Sequence, residues 1–175
     1  MIRASIIFSI FFFFSCADPA GNSSDSESAS TDEVVLDSDR LDAVEINNEF
    51  IGMYDGMTGL ITELFLSDSA SVEINFENAL FESKSILDRL FTYKLEDQDE
   101  SFKNALIDIV KFYESELETE FKSLIPLIKN KSLSDEEIER LENYDQSFAD
   151  KEKELILSFA AAQEAFAQRN NIRLE

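Results

Sequence analysis

Apolar residues recur at alternating steps of three and four positions along almost the whole stretch from residue 40 to residue 175. Side chains spaced in this way lie on one face of an α-helix, whereas a half-buried strand would alternate at every second position. No part of the stretch combines alternation of period two with a turn pair of the Asn-Gly kind. The pattern therefore predicts an all-α domain that is long enough to bury a single core.

Short polar breaks divide this pattern into four helices. The first three are predicted at about 40–66, 72–95 and 99–129, and the fourth is predicted to start at Ser134. The connections are too short for anything but a return of the chain along the preceding helix. We therefore expect an antiparallel, up-down-up-down four-helix bundle over residues 40–175, with a core built largely of phenylalanine.

Local signals mark the helix ends. Ser134 and Glu137 form the Ser-x-x-Glu pattern of a capping box, in which two side chains satisfy backbone N–H groups at the helix start. Asp97 and Glu100 form a weaker, aspartate-based version before the third helix. Pro126 lies in the last turns of that helix and is expected to kink or end it, because proline has no N–H to donate.

The first sixteen residues form a separate, strongly apolar segment. Arg3 is followed by a mostly apolar run over residues 6–14, and then by Ser15 and Cys16. Nine helical residues reach about 13 Å, well short of the roughly 30 Å apolar core of a bilayer. The segment therefore predicts a cleaved export signal rather than a membrane span, and an ordinary secretory signal with an incidental cysteine is the alternative.

The junction between Ser15 and Cys16 resembles the lipobox of bacterial lipoproteins. The resemblance implies a signal peptide at residues 1–15, cleavage before Cys16, and acylation of the Cys16 thiol and new amino group. Several acyl chains anchor a protein stably, since each buried CH₂ contributes roughly 0.8 kcal/mol. Ala17, not aspartate, follows the cysteine. The resemblance to proteobacterial lipoproteins then implies that the protein is not retained at the inner membrane, so the expected location is the outer membrane or cell surface.

Residues 16–39 are predicted to be a disordered tether. After Cys16 they contain seven acidic residues, six serines and no basic residue. Such a segment cannot bury enough apolar surface to offset the entropy lost on ordering. Its acidity resembles the surface-export signals of some lipoproteins in the Bacteroidetes group, and a plain solvated linker is the alternative.

Composition excludes several classes of chemistry. The chain has 37 acidic and 15 basic residues, one cysteine and no histidine. Without histidine there is no Ser-His-Asp or Cys-His nucleophile, and one cysteine cannot form an internal disulfide or supply four thiolates to a cluster. Nucleic acid is not an expected partner, because binding its phosphates depends on Lys and Arg. We expect a noncatalytic protein with no cofactor and no metal.

Three glycines, Gly52, Gly56 and Gly59, lie inside the first predicted helix. Each costs about 1 kcal/mol relative to alanine in a helix interior, so something is expected to approach the helix closely there. Close packing of another helix of the bundle is the favoured interpretation. A locally unwound helix is the second. A ligand or partner groove beside Met53 and Met57 is the third, because flexible thioethers suit adaptable surfaces.

Carboxylates also fall on the apolar stripe of the fourth helix. Asp145 and Glu152 are two turns, roughly 10 Å, apart, and inward-facing carboxylates could bind a hard cation or set helix register. No aspartate-rich calcium loop or second set of ligands can be identified, so both are expected at the surface. The glutamates at every second position over residues 114–120 are expected to form a solvated face.

Four segments together resemble a family of small bacterial surface lipoproteins of unknown function, known from leptospiral and Bacteroidetes-type members. The segments are DAVEINNEFI, FKNALIDIVKFYESELETEF, LSDEEIERL and ELILSFAAAQEAFAQRNNIRLE, with Asn47, Gln163, Phe166 and Ala167 among the matching positions. The resemblance implies a helical fold and a surface location, and it supplies no catalytic residues. The expected function is that of a noncatalytic, lipid-anchored helical surface protein that binds another macromolecule or contributes to the envelope. A module that binds a small ligand or divalent metal is the alternative.

Overall fold

Residues 42–174 of the chain are described by a computed structural model, in which the only regular elements over that range are helices. The predicted signal peptide, Cys16 and the tether lie outside the described residues. Leu41–Ile172 form one compact unit. Within the described range, none of the helices has the length and apolar character needed to cross a bilayer.

Five α-helices and one π-helical segment follow each other along the chain. They are α1 (Ala43–Phe65), α2 (Val72–Thr92), α3 (Glu100–Glu116), the π segment (Leu117–Phe121), α4 (Lys122–Lys129) and α5 (Asp135–Arg169). Because α3, the π segment and α4 are continuous, they make one long helix that corresponds to the predicted third helix. The all-α fold class and the four helices are therefore confirmed for the described part of the chain.

The long central helix organises the bundle. α3 packs against α2 and α5 and also contacts α1, while α1 packs mainly against α2. Ion pairs link the first part of one helix to the last part of another: Glu49 with Arg89, Glu73 with Lys129, and Asp99 with Arg169. Antiparallel neighbours make contacts of this kind, and the full up-down-up-down order stays a prediction.

Two helices begin with a complete capping box. The Glu137 N–H donates to Ser134 Oγ at 3.3 Å and the Ser134 N–H donates to Glu137 Oε2 at 2.8 Å, which confirms the predicted start of α5. The same reciprocal pair joins Asp42 and Glu45 at the start of α1. That second box was not predicted, although its Asp-x-x-Glu spacing is visible in the sequence.

The aspartate-based box predicted at Asp97 and Glu100 is wrong. The residue that precedes α3 is Asp99, and no side chain caps the helix start. The Asp99 carboxylate instead accepts a hydrogen bond from Arg169 Nε at 3.1 Å, so it joins the start of α3 to the end of α5. An ion pair between distant residues has replaced the expected local contact.

The π segment follows from the spacing of apolar residues. Ile109, Tyr113, Leu117 and Phe121 are separated by steps of four, and all four are buried. In an α-helix each step of four overshoots one turn by about 40°, so three steps would rotate the stripe by about 120°. A π turn holds more residues and keeps the stripe on the core side. Pro126 does not end the helix, because α4 continues to Lys129.

Phenylalanine occupies the centre of the core, but the prediction of a core built largely of phenylalanine is wrong, because leucine and isoleucine together supply more of the buried side chains. The buried phenylalanines are Phe50, Phe76, Phe102, Phe121, Phe148, Phe159 and Phe166. The Phe102 ring lies at the middle of this set, with centroid distances of 5.2 Å to Phe50, 5.3 Å to Phe159 and 5.0 Å to Phe166. Residues of α1, α3 and α5 therefore meet around a single side chain of α3.

Candidate functional site

The three glycines of α1 lie on its solvent-exposed side. Gly52, Gly56 and Gly59 are all exposed, and a Cβ atom at any of them would meet no neighbouring group within 4 Å. The prediction that another helix of the bundle packs closely against them is therefore wrong. α1 is also continuous from Ala43 to Phe65, so the locally unwound alternative is wrong as well.

The methionines proposed to share a surface with these glycines belong to the core. Met53 and Met57 are buried on the side of α1 that faces the bundle. Their thioethers fill the interior, while the glycines face outward, so the five residues do not form one groove. The reason is helical geometry, since residues one position apart differ by about 100° in direction.

Glu152 is buried, contrary to the prediction that it lies at the surface. Glu152 lies on the side of α5 that contacts α3 and is 6% exposed. Tyr113 Oη of α3 donates a hydrogen bond to Glu152 Oε1 at 2.7 Å. Burial raises the pKa of the Glu152 carboxyl, and the hydrogen bond from Tyr113 opposes part of that rise. Burial and the nearby Glu152 charge raise the pKa of Tyr113 well above its usual value.

A third titratable group reaches the same region from α1. Tyr54 packs its ring against Phe159 at a centroid distance of 5.0 Å. Burial, with a smaller contribution from the Glu152 charge, raises the pKa of Tyr54 to about 12. We call Tyr54, Tyr113 and Glu152 the interior acid cluster, since α1, α3 and α5 contribute one acidic group each.

Asp145 lies two turns before Glu152 and is half-buried, so its predicted exposure holds only in part. Burial raises the pKa of its carboxyl. The neighbouring Tyr144 hydroxyl is buried, and burial together with the nearby Glu116 carboxylate raises the pKa of this phenol well above its usual value. Over residues 42–174, no three acidic, histidine or cysteine side chains are arranged to hold a metal ion.

Comparison with known proteins provides no family for this chain. No family model, curated protein or solved structure matches it. The resemblance to small surface lipoproteins thus stays a prediction from the sequence.

A buried amide pair joins α5 to α1. Gln163 Nε2 donates to Asn47 Oδ1 at 3.1 Å, and both residues are buried. The sequence carried a signal for Gln163, which falls on the apolar stripe between Phe159 and Phe166. Its partner across the bundle could not be chosen from spacing alone. Polar groups therefore contact each other at two levels of the α5 interface, at Gln163 and at Glu152.

The glutamate-rich turn at the end of α3 has a mixed environment. Glu118 and Glu120 are exposed, as predicted, and Lys84 forms an ion pair with Glu118. Glu114 and Glu116 are half-buried. The predicted solvated face is therefore confirmed for Glu118 and Glu120 only.

Proposed function

We propose that this chain is a noncatalytic, lipid-anchored protein of the bacterial outer membrane or cell surface. In this proposal residues 1–15 are a signal peptide, Cys16 carries the acyl chains and residues 17–39 are a spacer. The helical domain then presents its surface to another macromolecule of the envelope. The observation that carries the proposal is the order of residues at the start of the sequence, where Arg3 is followed by a short apolar run that ends at the only cysteine of the chain.

The position of the first helix supports this division. The capping box of Asp42 and Glu45 starts α1 shortly after the acidic segment. The start of α1 at Ala43 therefore lies a few residues after the end of the predicted spacer at residue 39. Such an arrangement suits a domain held at a distance from its anchor.

Charge supports a domain that stands away from the lipid surface. From residue 40 onward there are 30 acidic and 14 basic residues, and residues 17–39 add seven acidic ones. Anionic lipids repel a surface of this sign, and repulsion between like charges extends the spacer. The same surface favours partners with basic or neutral contact regions.

Cell fractionation tests the anchor. We expect the protein from its native cell in the membrane fraction, with the domain accessible to protease added to intact cells. Cys16→Ser should remove acylation and release the protein from the membrane, whereas Ser23→Ala, seven residues away in the spacer, should change nothing. Recovery of the unaltered protein in the soluble fraction with a free Cys16 thiol would contradict the proposal.

Calorimetry separates the proposal from the ligand-binding alternative. Titration of the purified chain with millimolar Ca²⁺, Mg²⁺ or Zn²⁺ should give no heat beyond dilution, because no ligand set exists in residues 42–174. Saturable heat that Asp145→Ala abolishes would favour a metal-binding module instead. A chemical cross-linking experiment on intact cells should meanwhile yield a defined envelope partner.

A further inference from the structure

α5 has few buried residues for its length, although it packs closely against α3. It spans 35 residues, and the buried ones are Phe148, Glu152, Phe159, Gln163, Phe166 and Ala167. None of its residues before Phe148 is buried. Because two of these six are polar, the attachment of α5 depends on its polar contacts more than that of α3 does, whose buried side chains are nearly all apolar.

Glu152 accepts one hydrogen bond and forms no ion pair within residues 42–174. Tyr113 provides the bond, and among the described residues no lysine or arginine forms an ion pair with Glu152. A neutral carboxyl group can share that hydrogen bond with the phenol at modest desolvation cost. A buried carboxylate without a positive partner is much less favourable.

The groups that face Glu152 do not supply a compensating charge. Tyr113 approaches from α3 and Tyr54 from α1, and burial keeps both phenols neutral at ordinary pH. Asp55 lies beside Tyr54 and contributes a further negative charge. On α5 itself, Lys151 lies over the Phe112 ring at 5.9 Å and forms no ion pair with Glu152.

We propose that the buried Glu152 carboxyl, hydrogen-bonded to Tyr113, is a proton-dependent latch: it holds α5 against α3 while neutral and loosens on ionisation, because burying the unpaired charge costs more than the Tyr113 hydrogen bond returns. This inference concerns the described domain and does not depend on the lipid anchor. Loosening would expose the apolar side of α5 and the rings of α3 that it covers. The domain would then have two states, closed at lower pH and more open at higher pH.

The direction of the pH dependence follows from proton linkage. Burial raises the pKa of Glu152 in the folded chain above its ordinary value of 4.5. Between those two pKa values the folded chain holds a proton that the unfolded or opened chain has lost. Raising the pH therefore favours opening, and a single site changes the opening equilibrium constant by at most tenfold per pH unit.

Two variants on the same helix isolate the effect. Glu152→Gln keeps the size and hydrogen-bonding capacity of the side chain and removes its charge. Glu154→Gln removes one negative charge from an exposed position two residues away. Glu49 and Asp68, whose carboxyl groups have a lowered pKa, also make the stability of the domain depend on pH. They are present in all variants, so their contribution cancels when the pH profiles are compared.

Hydrogen exchange of the purified full chain, followed by mass spectrometry from pH 5 to 8 and corrected for intrinsic exchange, reads the opening of each helix. In the unaltered chain and in Glu154→Gln, protection of α5 should fall by up to tenfold per pH unit, while α2 keeps its protection. In Glu152→Gln, α5 protection should fall less steeply with pH than in the other two chains, because only the remaining shifted carboxyl groups, Asp145 on the same helix among them, still contribute.

Parallel pH profiles in all three chains would overturn the latch, and so would equal loss of protection in α2 and α5. If Glu152→Gln does not fold, carbon NMR of the unaltered chain decides the question. A Glu152 carboxyl that titrates at or below its ordinary pKa overturns the proposal, and one that titrates above it together with loss of α5 protection supports it.

Discussion

Replacing the exposed glycines of α1 with alanine should stabilise the domain. Gly52, Gly56 and Gly59 have open space where a Cβ would lie, and none has a positive φ angle, so alanine fits without strain. Each substitution removes chain freedom from the unfolded state and is worth about 1 kcal/mol in a helix interior. The triple variant should gain about 3 kcal/mol, or roughly 10 °C in Tm for a domain of this size.

Thermal and urea denaturation followed by circular dichroism measure this gain. Ala161→Gly, the reverse change at an exposed position inside α5, is the matched control and should lose about 1 kcal/mol. A triple variant that is no more stable than the parent, or less stable, would refute the reasoning. It would mean that another group packs against the glycines and occupies the space in which the alanine Cβ atoms would lie.

Two further predictions compare a buried or capping group with a matched position. Ser134→Ala should cost about 1 kcal/mol in the free energy of unfolding, because it removes the α5 capping box, whereas Asp97→Ala should change stability little. Phe102→Ala should cost about 3–5 kcal/mol through the cavity that it leaves. Phe81→Ala, at a ring that is 74% exposed, should cost less than 1 kcal/mol, and urea denaturation of the four variants checks both comparisons.

Helical periodicity predicted most of the fold because it depends on local spacing. The stripes of apolar residues gave the number and order of the helices, and the Ser134 box gave the start of α5 to the residue. The steps of four from Ile109 to Phe121 also indicate the π segment, although the apolar pattern by itself predicts one regular helix. Contacts along a single helix can be predicted because residues three or four positions apart are neighbours on the same face.

The errors concern contacts between distant parts of the chain. Spacing placed Glu152 on the apolar stripe, but its partner Tyr113 is 39 positions away and lies on another helix. The glycines of α1 predict a close helix contact because their destabilising effect in a helix follows from residue type alone. Which side of α1 faces the bundle does not follow from residue type. Helix rotation depends on the packing of all neighbours at once, which no single stripe determines.

Mass spectrometry of the amino terminus tests the central claim most directly. The protein is extracted from the membrane of its native cell, digested, and searched for the peptide that begins at residue 16. The account predicts that no molecule retains residues 1–15 and that the first residue is Cys16 bearing acyl chains. A mature chain with an unmodified Cys16, or one cleaved at another position, would contradict it.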